Sequence, residues 1–225
     1  MTQDQDFVLF GNYESGNVYK VALMLALSGK SFRFRHVDIF SGGHRTPQFL
    51  EVSRYGEVPA LRHGERHLVQ SGSILLYLCE TLDRFGPVNE DQRWAISEWL
   101  FWENHRLLPS LALTRYLHRF VPDHDPAVLA FCRGRTETAL GHLEQILSER
   151  PYLTGALPSI ADIACAGYAW FIDQAGLDPS RWPAIGDWLA RLEALPGWQH
   201  PYELLPKCDG AVQAVPMSHH QRRLV

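Results

Sequence analysis

A serine and an asparagine in the stretch Tyr13-Glu14-Ser15-Gly16-Asn17 stand where they could stabilise an anion. The apolar run of residues 7–10 before them predicts a buried strand, and apolar residues at helical spacing from residue 18 predict a helix. Hydroxyl, amide and backbone N–H groups of the loop would meet at the positive end of that helix, which stabilises anions, including a thiolate. The alternative is an ordinary helix cap, in which Ser15 satisfies an orphan backbone N–H.

A second hydroxyl stands at the start of another predicted helix, in Gln70-Ser71-Gly72. The helix follows a predicted antiparallel hairpin of residues 58–62 and 67–69. The hydroxyl and N–H of Ser71 could hold a carboxylate there. They could also do no more than cap the helix, and both roles can coexist.

The elements that must position these residues change character near residue 85. Before it, strands at 7–10 and 32–39, the helix between them, the hairpin and its following helix give the order βαβ, then ββα. Gly86-Pro87 breaks the pattern, and only helical patterns follow. These predict helices at 93–119 with a kink at Pro109, at 127–149, at 159–175 behind the capping box Ser159-Ile160-Ala161-Asp162, and around 185–192, then a loosely held tail from Lys207.

Composition excludes several classes of protein. The chain has 225 residues, 46% of them hydrophobic, and a net charge of −4 spread along its length, so no nucleic-acid or membrane patch is expected. No signal peptide or membrane-spanning segment is visible. The four cysteines are far apart and form no zinc spacing, so no metal is expected. Cys79 and Cys165 should be buried, and the pattern favours a protein of a reducing compartment, most simply the cytoplasm.

This organisation resembles the cytosolic glutathione S-transferase family, in its bacterial, serine-type, theta- and nu-like branches. The resemblance covers residues 7–206 and implies an α/β N-terminal thioredoxin-like domain that binds glutathione, residues 1–85, plus an all-α C-terminal helical domain, residues 91–225. Four motifs in the family's order support it: the loop and helix start Ser15–Val21, Gly43-His44 followed by Phe49, Glu57-Val58-Pro59-Ala60-Leu61 with Gln70-Ser71, and Ser159–Ile163.

The resemblance assigns the catalytic role to the first loop. It implies that Ser15 donates a hydrogen bond to the glutathione thiolate and that Asn17 is a second donor. Glutathione brings its own sulfur, in agreement with the absence of cysteine from residues 13–20. Lowering a thiol pKa of about 8.5 by about two units requires roughly 2.7 kcal/mol. One hydroxyl hydrogen bond to a charged acceptor supplies about 1.5–3 kcal/mol of this.

The resemblance also implies contacts for the rest of glutathione. Val58 would pair its backbone with the ligand as a strand does, next to a cis Pro59; the alternative is a trans proline opening an edge strand. Gln70 and Ser71 would hold the γ-glutamyl carboxylate. His44 would meet the glycyl carboxylate, or be a solvated loop histidine. Glu57 departs from the family pattern: its carboxylate either repels the ligand or turns away, and Arg54 could compensate its charge.

For the second substrate, the resemblance implies a pocket with contributions from Tyr13, Trp102, His105 and Arg106, although a tryptophan stripe is more often core than pocket. Together these features predict an enzyme that activates glutathione as co-substrate for attack on an electrophile, peroxide or mixed disulfide, with a role in detoxification. The alternative is a non-catalytic glutathione-binding or regulatory protein with the same fold. The resemblance further implies a homodimer.

Overall fold

The computed structural model describes residues 7–215 and divides them into two compact units. One unit consists of residues 7–84 together with 195–215, and the other consists of residues 85–194. The first is a thioredoxin-like α/β unit and the second is helical, which confirms the predicted fold class. The division differs from the assignment of residues 91–225 to one helical domain, because residues 195–215 belong to the first unit.

Five strands form the mixed sheet of the first unit, in the order β4-β3-β1-β2-β5. Their bounds are β1 Phe7–Gly11, β2 Phe32–His36, β3 Ala60–His63, β4 Arg66–Val69 and β5 Gly210–Val212. β1 and β2 are parallel, as a strand–helix–strand order favours, while the other pairs are antiparallel. In the centre of the sheet, Leu9 lies between Phe34 and Leu61, and all three side chains are fully buried.

The predicted loose tail from Lys207 is wrong for the residues that the structure describes. Residues 210–212 pair with β2 as the fifth strand. The carboxylate of Asp209 accepts hydrogen bonds from Arg35 Nη1 and from the backbone N–H of His36, both at 2.8 Å. Three residues are too few to show the alternation that predicts a strand, so the sequence carried no signal for it.

The helices are named in chain order. They are α1 Gly16–Leu27, α2 Pro47–Leu50, α3 Ser71–Leu82, α4 Glu90–Trp102, α5 Leu108–Phe120, α6 Pro126–Glu149, α7 Ile160–Ala169, α8 Pro183–Glu193 and α9 Pro201–Leu204. No helix in the described part of the chain is both long enough and apolar enough to cross a membrane.

Helix α1 is buried on all sides rather than on one face. Every residue of α1 except Asn17 is buried, including Lys20. The hydroxyl of Tyr19, also fully buried, donates to the Gln199 carbonyl at 2.8 Å, within the first unit. The N-terminus of this helix is therefore held by packing around its whole circumference.

The kink predicted at Pro109 takes the form of a π-helical turn, Glu103–Leu107, between α4 and α5. Proline has no N–H, so it leaves a carbonyl of the preceding turn without its helical partner and favours such a widening. Ser110 supplies a hydrogen bond to a carbonyl of this turn, because its Oγ donates to the Arg106 carbonyl at 2.7 Å.

The capping box at the start of α7 is confirmed. The Asp162 carboxylate accepts from the backbone N–H of Ser159 at 2.8 Å, from that of Leu153 at 2.9 Å and from Trp188 Nε1 at 3.0 Å. Burial raises the pKa of Asp162 above its ordinary value, and these hydrogen bonds act in the opposite direction. The helix ends at Ala169 rather than at the predicted residue 175. The sequence did not predict this end, because residues 170–172 contain no glycine or proline that would mark it.

Candidate active site

The loop between β1 and α1 is folded around the buried side chain of Asn12. Asn12 Nδ2 donates to the Val37 carbonyl at 3.1 Å, and Asn12 Oδ1 accepts from the Glu14 N–H at 3.0 Å. The Ser15 N–H donates to the Asn12 carbonyl, also at 3.0 Å. Sequence reasoning missed this role of Asn12, although asparagine commonly organises a turn by bonding to the backbone two residues on.

Ser15 is the N-cap of α1 and is buried. Its backbone is extended, and its Oγ accepts the Val18 N–H at 3.3 Å. A hydroxyl that accepts one hydrogen bond still has its own hydrogen to donate. Within residues 7–215 that hydrogen has no acceptor. The two interpretations of Ser15, as helix cap and as anion donor, are therefore compatible in this geometry.

Asn17 joins the N-termini of α1 and α3. Its Oδ1 accepts from Lys20 Nζ at 2.7 Å and from Ser71 Oγ at 3.4 Å. Ser71 is the first residue of α3, so this contact places the positive N-terminal ends of α1 and α3 next to each other. Sequence reasoning missed Lys20, and the available signal was a lysine inside an otherwise apolar helix.

Gln70 has a left-handed backbone, with φ 69° and ψ 114°. A non-glycine residue in this conformation is strained by about 1–3 kcal/mol, and such residues concentrate at functional sites. The exposed side chain of Gln70 donates from Nε2 to Glu57 Oε2 at 2.8 Å. Glu57 is therefore turned toward Gln70. Arg54 forms no ion pair with Glu57 among the described residues, and its guanidinium lies 5.0 Å from the ring centroid of Tyr55, so compensation of the Glu57 charge by Arg54 stays a prediction.

The peptide bond between Val58 and Pro59 is cis, as predicted. The backbone of Glu57, the residue before Val58, is held by the fully buried Ser53. The Oγ of Ser53 donates to the Glu57 carbonyl at 2.8 Å and accepts the Glu57 N–H at 3.2 Å. In the described chain the N–H and C=O of Val58 form no hydrogen bond. They remain able to pair with an extended ligand, as an additional strand would.

His44 lies in the 3₁₀ turn Gly43–Arg45 and is half-buried. Its Nδ1 is buried and has no hydrogen-bond partner among the described residues. A buried polar atom without a partner is uncommon in proteins and calls for an explanation, such as a missing ligand. This geometry weakens the alternative of a fully solvated loop histidine.

Tyr13 lies among residues of β2 and of the C-terminal segment. Its ring centroid is 6.1 Å from that of His36 and 6.4 Å from that of Tyr202, and Lys207 Nζ lies 5.7 Å from it. The Tyr202 hydroxyl donates to the buried carboxylate of Glu14 at 2.7 Å. Sequence reasoning missed this support for the loop, because contacts across nearly 190 positions leave no local pattern.

In the helical unit, Trp102 and Arg106 line one cleft of about 460 Å³. Trp102 also packs edge-on against Trp99, with ring centroids 5.1 Å apart. His105 is exposed and does not line this cleft, so the structure brings together only two of the three residues predicted from this stretch. The rest of the lining consists of Ser110, Arg135, Thr138, Ala139 and His142.

Comparisons with known proteins agree with this architecture. The family models for the N-terminal and C-terminal domains of glutathione S-transferases match residues 9–84 and 126–191. The disulfide-bond oxidoreductase YfcG of Escherichia coli K12 is 30% identical over 187 residues, which span 80% of this chain and 87% of that protein. A glutathione S-transferase structure from Pseudomonas fluorescens Pf-5 has 32% identity and a TM-score of 0.83, covering 87% of this chain and 98% of its own. One from Xanthobacter autotrophicus Py2 has 33% identity and a TM-score of 0.82, with 88% and 98% covered.

Proposed function

This chain belongs to the glutathione S-transferase family, and we propose that it binds glutathione and activates the thiolate for attack on a second substrate. The observation that supports this most is the Ser15 hydroxyl. It is buried at the N-terminus of α1, accepts a backbone N–H, and keeps its hydrogen available in the described part of the chain. A thiolate is the anion that this donor would stabilise.

Three favourable terms act on the thiolate in this proposal. The Ser15 hydroxyl donates one hydrogen bond, and the Asn17 amide donates another. The positive ends of α1 and α3 add a field worth about 0.3–1 kcal/mol each at exposed sites. Hydrogen bonds to a charged acceptor contribute about 1.5–3 kcal/mol each. Their sum exceeds the roughly 2.7 kcal/mol needed to lower the thiol pKa by two units.

The remainder of glutathione would lie along the cis-proline turn. The unpaired backbone of Val58 takes the cysteinyl part, Ser71 and Gln70 take the γ-glutamyl carboxylate, and His44 takes the glycyl carboxylate. The carboxylate of Glu57 lies on Gln70, so it opposes the binding of an anionic ligand. Glu57 is the feature that favours the second candidate, a glutathione-binding protein without catalysis.

A disulfide is the second substrate that the relatives favour, because YfcG is named a disulfide-bond oxidoreductase. A glutathione thiolate attacks one sulfur of RSSR, the S–S bond breaks, RS⁻ leaves and RSSG forms. A second glutathione thiolate attacks the glutathione sulfur of RSSG, releasing the other RS⁻ and forming oxidised glutathione. The protein supplies no sulfur, in keeping with the loop of residues 13–20. Electrophiles and peroxides are the other substrates to screen.

For this second substrate we propose contacts from Trp102 and Arg106, because both line the 460 Å³ cleft. Tyr13, a residue of the first unit, stays a prediction from the resemblance. A contact from His105 is supported only by its position in the sequence between Trp102 and Arg106, because it does not line this cleft.

We also propose that the chain forms a homodimer in the cytoplasm, as the family commonly does. Exposed aromatic side chains in the helical unit, Phe101 at 77% and Phe131 at 67%, support an interface there. Light scattering after size exclusion tests the dimer, and a monomer at micromolar concentration would reject it.

A pH titration of the thiolate absorbance of bound glutathione tests the central proposal. The wild-type protein should show a bound-thiol pKa well below the free value, and Ser15→Ala should abolish most of the shift. Ser28→Ala is the matched control, because it removes a buried hydroxyl from a serine at the other end of α1. Binding without a pKa shift would leave the non-catalytic candidate, and absence of binding would reject both.

A further inference from the structure

Lys20 is buried in α1, with 1% of its surface exposed. Lysine is rarely buried unless its ammonium group has a partner, because removing a charge from water is unfavourable. One partner is the Asn17 side chain, whose Oδ1 accepts from Lys20 Nζ at 2.7 Å. The two residues are three positions apart and therefore neighbours on one face of the helix.

This contact fixes which way the Asn17 amide faces. The lysine ammonium has three donors and no acceptor, so it must meet the amide oxygen and would repel the amide NH₂ group. The Ser71 hydroxyl approaches the same oxygen at 3.4 Å. Asn17 Nδ2 consequently lies on the other side of the amide, and in residues 7–215 it has no acceptor.

We propose that Lys20 is a positioning residue for the thiolate site: it holds the Asn17 amide so that its N–H donors face the sulfur of bound glutathione. This inference rests on the proposed function. Without Lys20, the amide could turn over and present its oxygen to the thiolate, which is repulsive. Fixing the donors before the ligand arrives avoids reorganisation when the charge appears.

A double-mutant cycle on the bound-thiol pKa tests the role, with Lys20→Met, Asn17→Ala and the combined variant. Met matches the length of the lysine stem and suits a buried site. Each single change should raise the bound-thiol pKa by about one unit, which is a roughly tenfold fall in the acid dissociation constant of the bound thiol. The combined variant should lose no more than either one, since residues that act through each other are not additive. Lys20→Arg should retain most of the shift.

Two results would overturn the positioning role. One is an unchanged bound-thiol pKa in Lys20→Met, and the other is a rise of about two pKa units in the combined variant, which would mean that Lys20 acts independently of Asn17. A wild-type protein that does not lower the thiol pKa would instead reject the proposed function, and with it this role.

Asn17→Asp tests the same idea with Lys20 in place. The carboxylate keeps both acceptor contacts, to Lys20 and to Ser71, but has no N–H to donate. The variant should remain folded in thermal unfolding and lose the lowered thiol pKa. A retained shift would show that the Asn17 donors do not face the sulfur, and would overturn the proposal even if Lys20→Met failed to fold.

Discussion

The side-chain amide of Gln70 donates to the carboxylate of Glu57, with Nε2 and Oε2 2.8 Å apart. This bond joins a residue before β3 to the residue after β4, at the open end of the hairpin. One residue of the pair is proposed to hold an anionic ligand, and the other carries a negative charge. The bond therefore places an unfavourable charge beside the proposed γ-glutamyl contact.

Replacing the charge should tighten glutathione binding. Glu57→Gln keeps an oxygen that can accept from Gln70 and removes the negative charge. Because Glu57 is exposed and screened by salt, the expected gain in affinity is about two- to fivefold at low ionic strength, and smaller at high ionic strength. Isothermal titration calorimetry at two salt concentrations measures it. Glu65→Gln, an exposed glutamate at the turn of the same hairpin, should change the affinity little; an equal gain there would indicate a general charge effect.

Asp162→Asn should destabilise the protein by about 2–4 kcal/mol. The carboxylate accepts from Leu153, Ser159 and Trp188, and an asparagine NH₂ would face at least one of these donors without bonding to it. Urea unfolding followed by Trp fluorescence and circular dichroism measures the change. A loss below about 0.5 kcal/mol, the range of ordinary surface substitutions, would contradict this account of the capping box.

Only Cys208 should react quickly with a thiol reagent. Cys79, Cys132 and Cys165 are buried, which confirms the expectation for Cys79 and Cys165. Burial raises the pKa of the Cys79 thiol to about 11, with smaller contributions from Glu80 and Asp83. At pH 8 that thiol is almost fully protonated and unreactive.

Titration with Ellman's reagent should therefore give one fast equivalent in the native protein and four after unfolding. Cys208→Ser should remove the fast equivalent. A fast equivalent that remains in Cys208→Ser would show that one of the three buried cysteines becomes accessible on the time scale of the assay.

Asp209→Ala should loosen β5 and leave the rest of the fold intact. Asp209 is exposed, so its ion pair with Arg35 is worth at most about 1 kcal/mol. Amide exchange of residues 210–212 should accelerate severalfold, with no matching change in β1. Asp187→Ala, an exposed aspartate in α8, is the control. Equal acceleration in both variants would mean that Asp209 does not anchor the strand.

Local chemistry made much of the fold and part of the site predictable. The strand, loop and helix around Ser15 follow from an apolar run, a polar loop and helical spacing. The cis bond at Val58–Pro59 and the capping box at Ser159 were predicted from short motifs and family resemblance. All depend on residues a few positions apart, which a sequence displays directly.

The remainder depends on contacts that only the folded chain creates. Lys20 looks like a solvent-exposed lysine until the packing around α1 is known. The positive φ of Gln70 was not predictable from the sequence, because glycine, the residue that usually marks such a position, is absent there. β5 pairs with β2, and Asp209 bonds to Arg35 and His36, across more than 170 positions of the sequence. Propensity says little about such long-range pairings.

The pairing of β5 with β2 has a consequence for the order in which the molecule is made. Ribosomes synthesise β2 early and residues 210–212 late, so the nascent chain carries β2 as an open edge strand while the helical unit is being translated. An open edge can pair with other chains. Completion of the sheet therefore waits until residues 210–212 have been synthesised, and a chain truncated before residue 210 keeps that edge open.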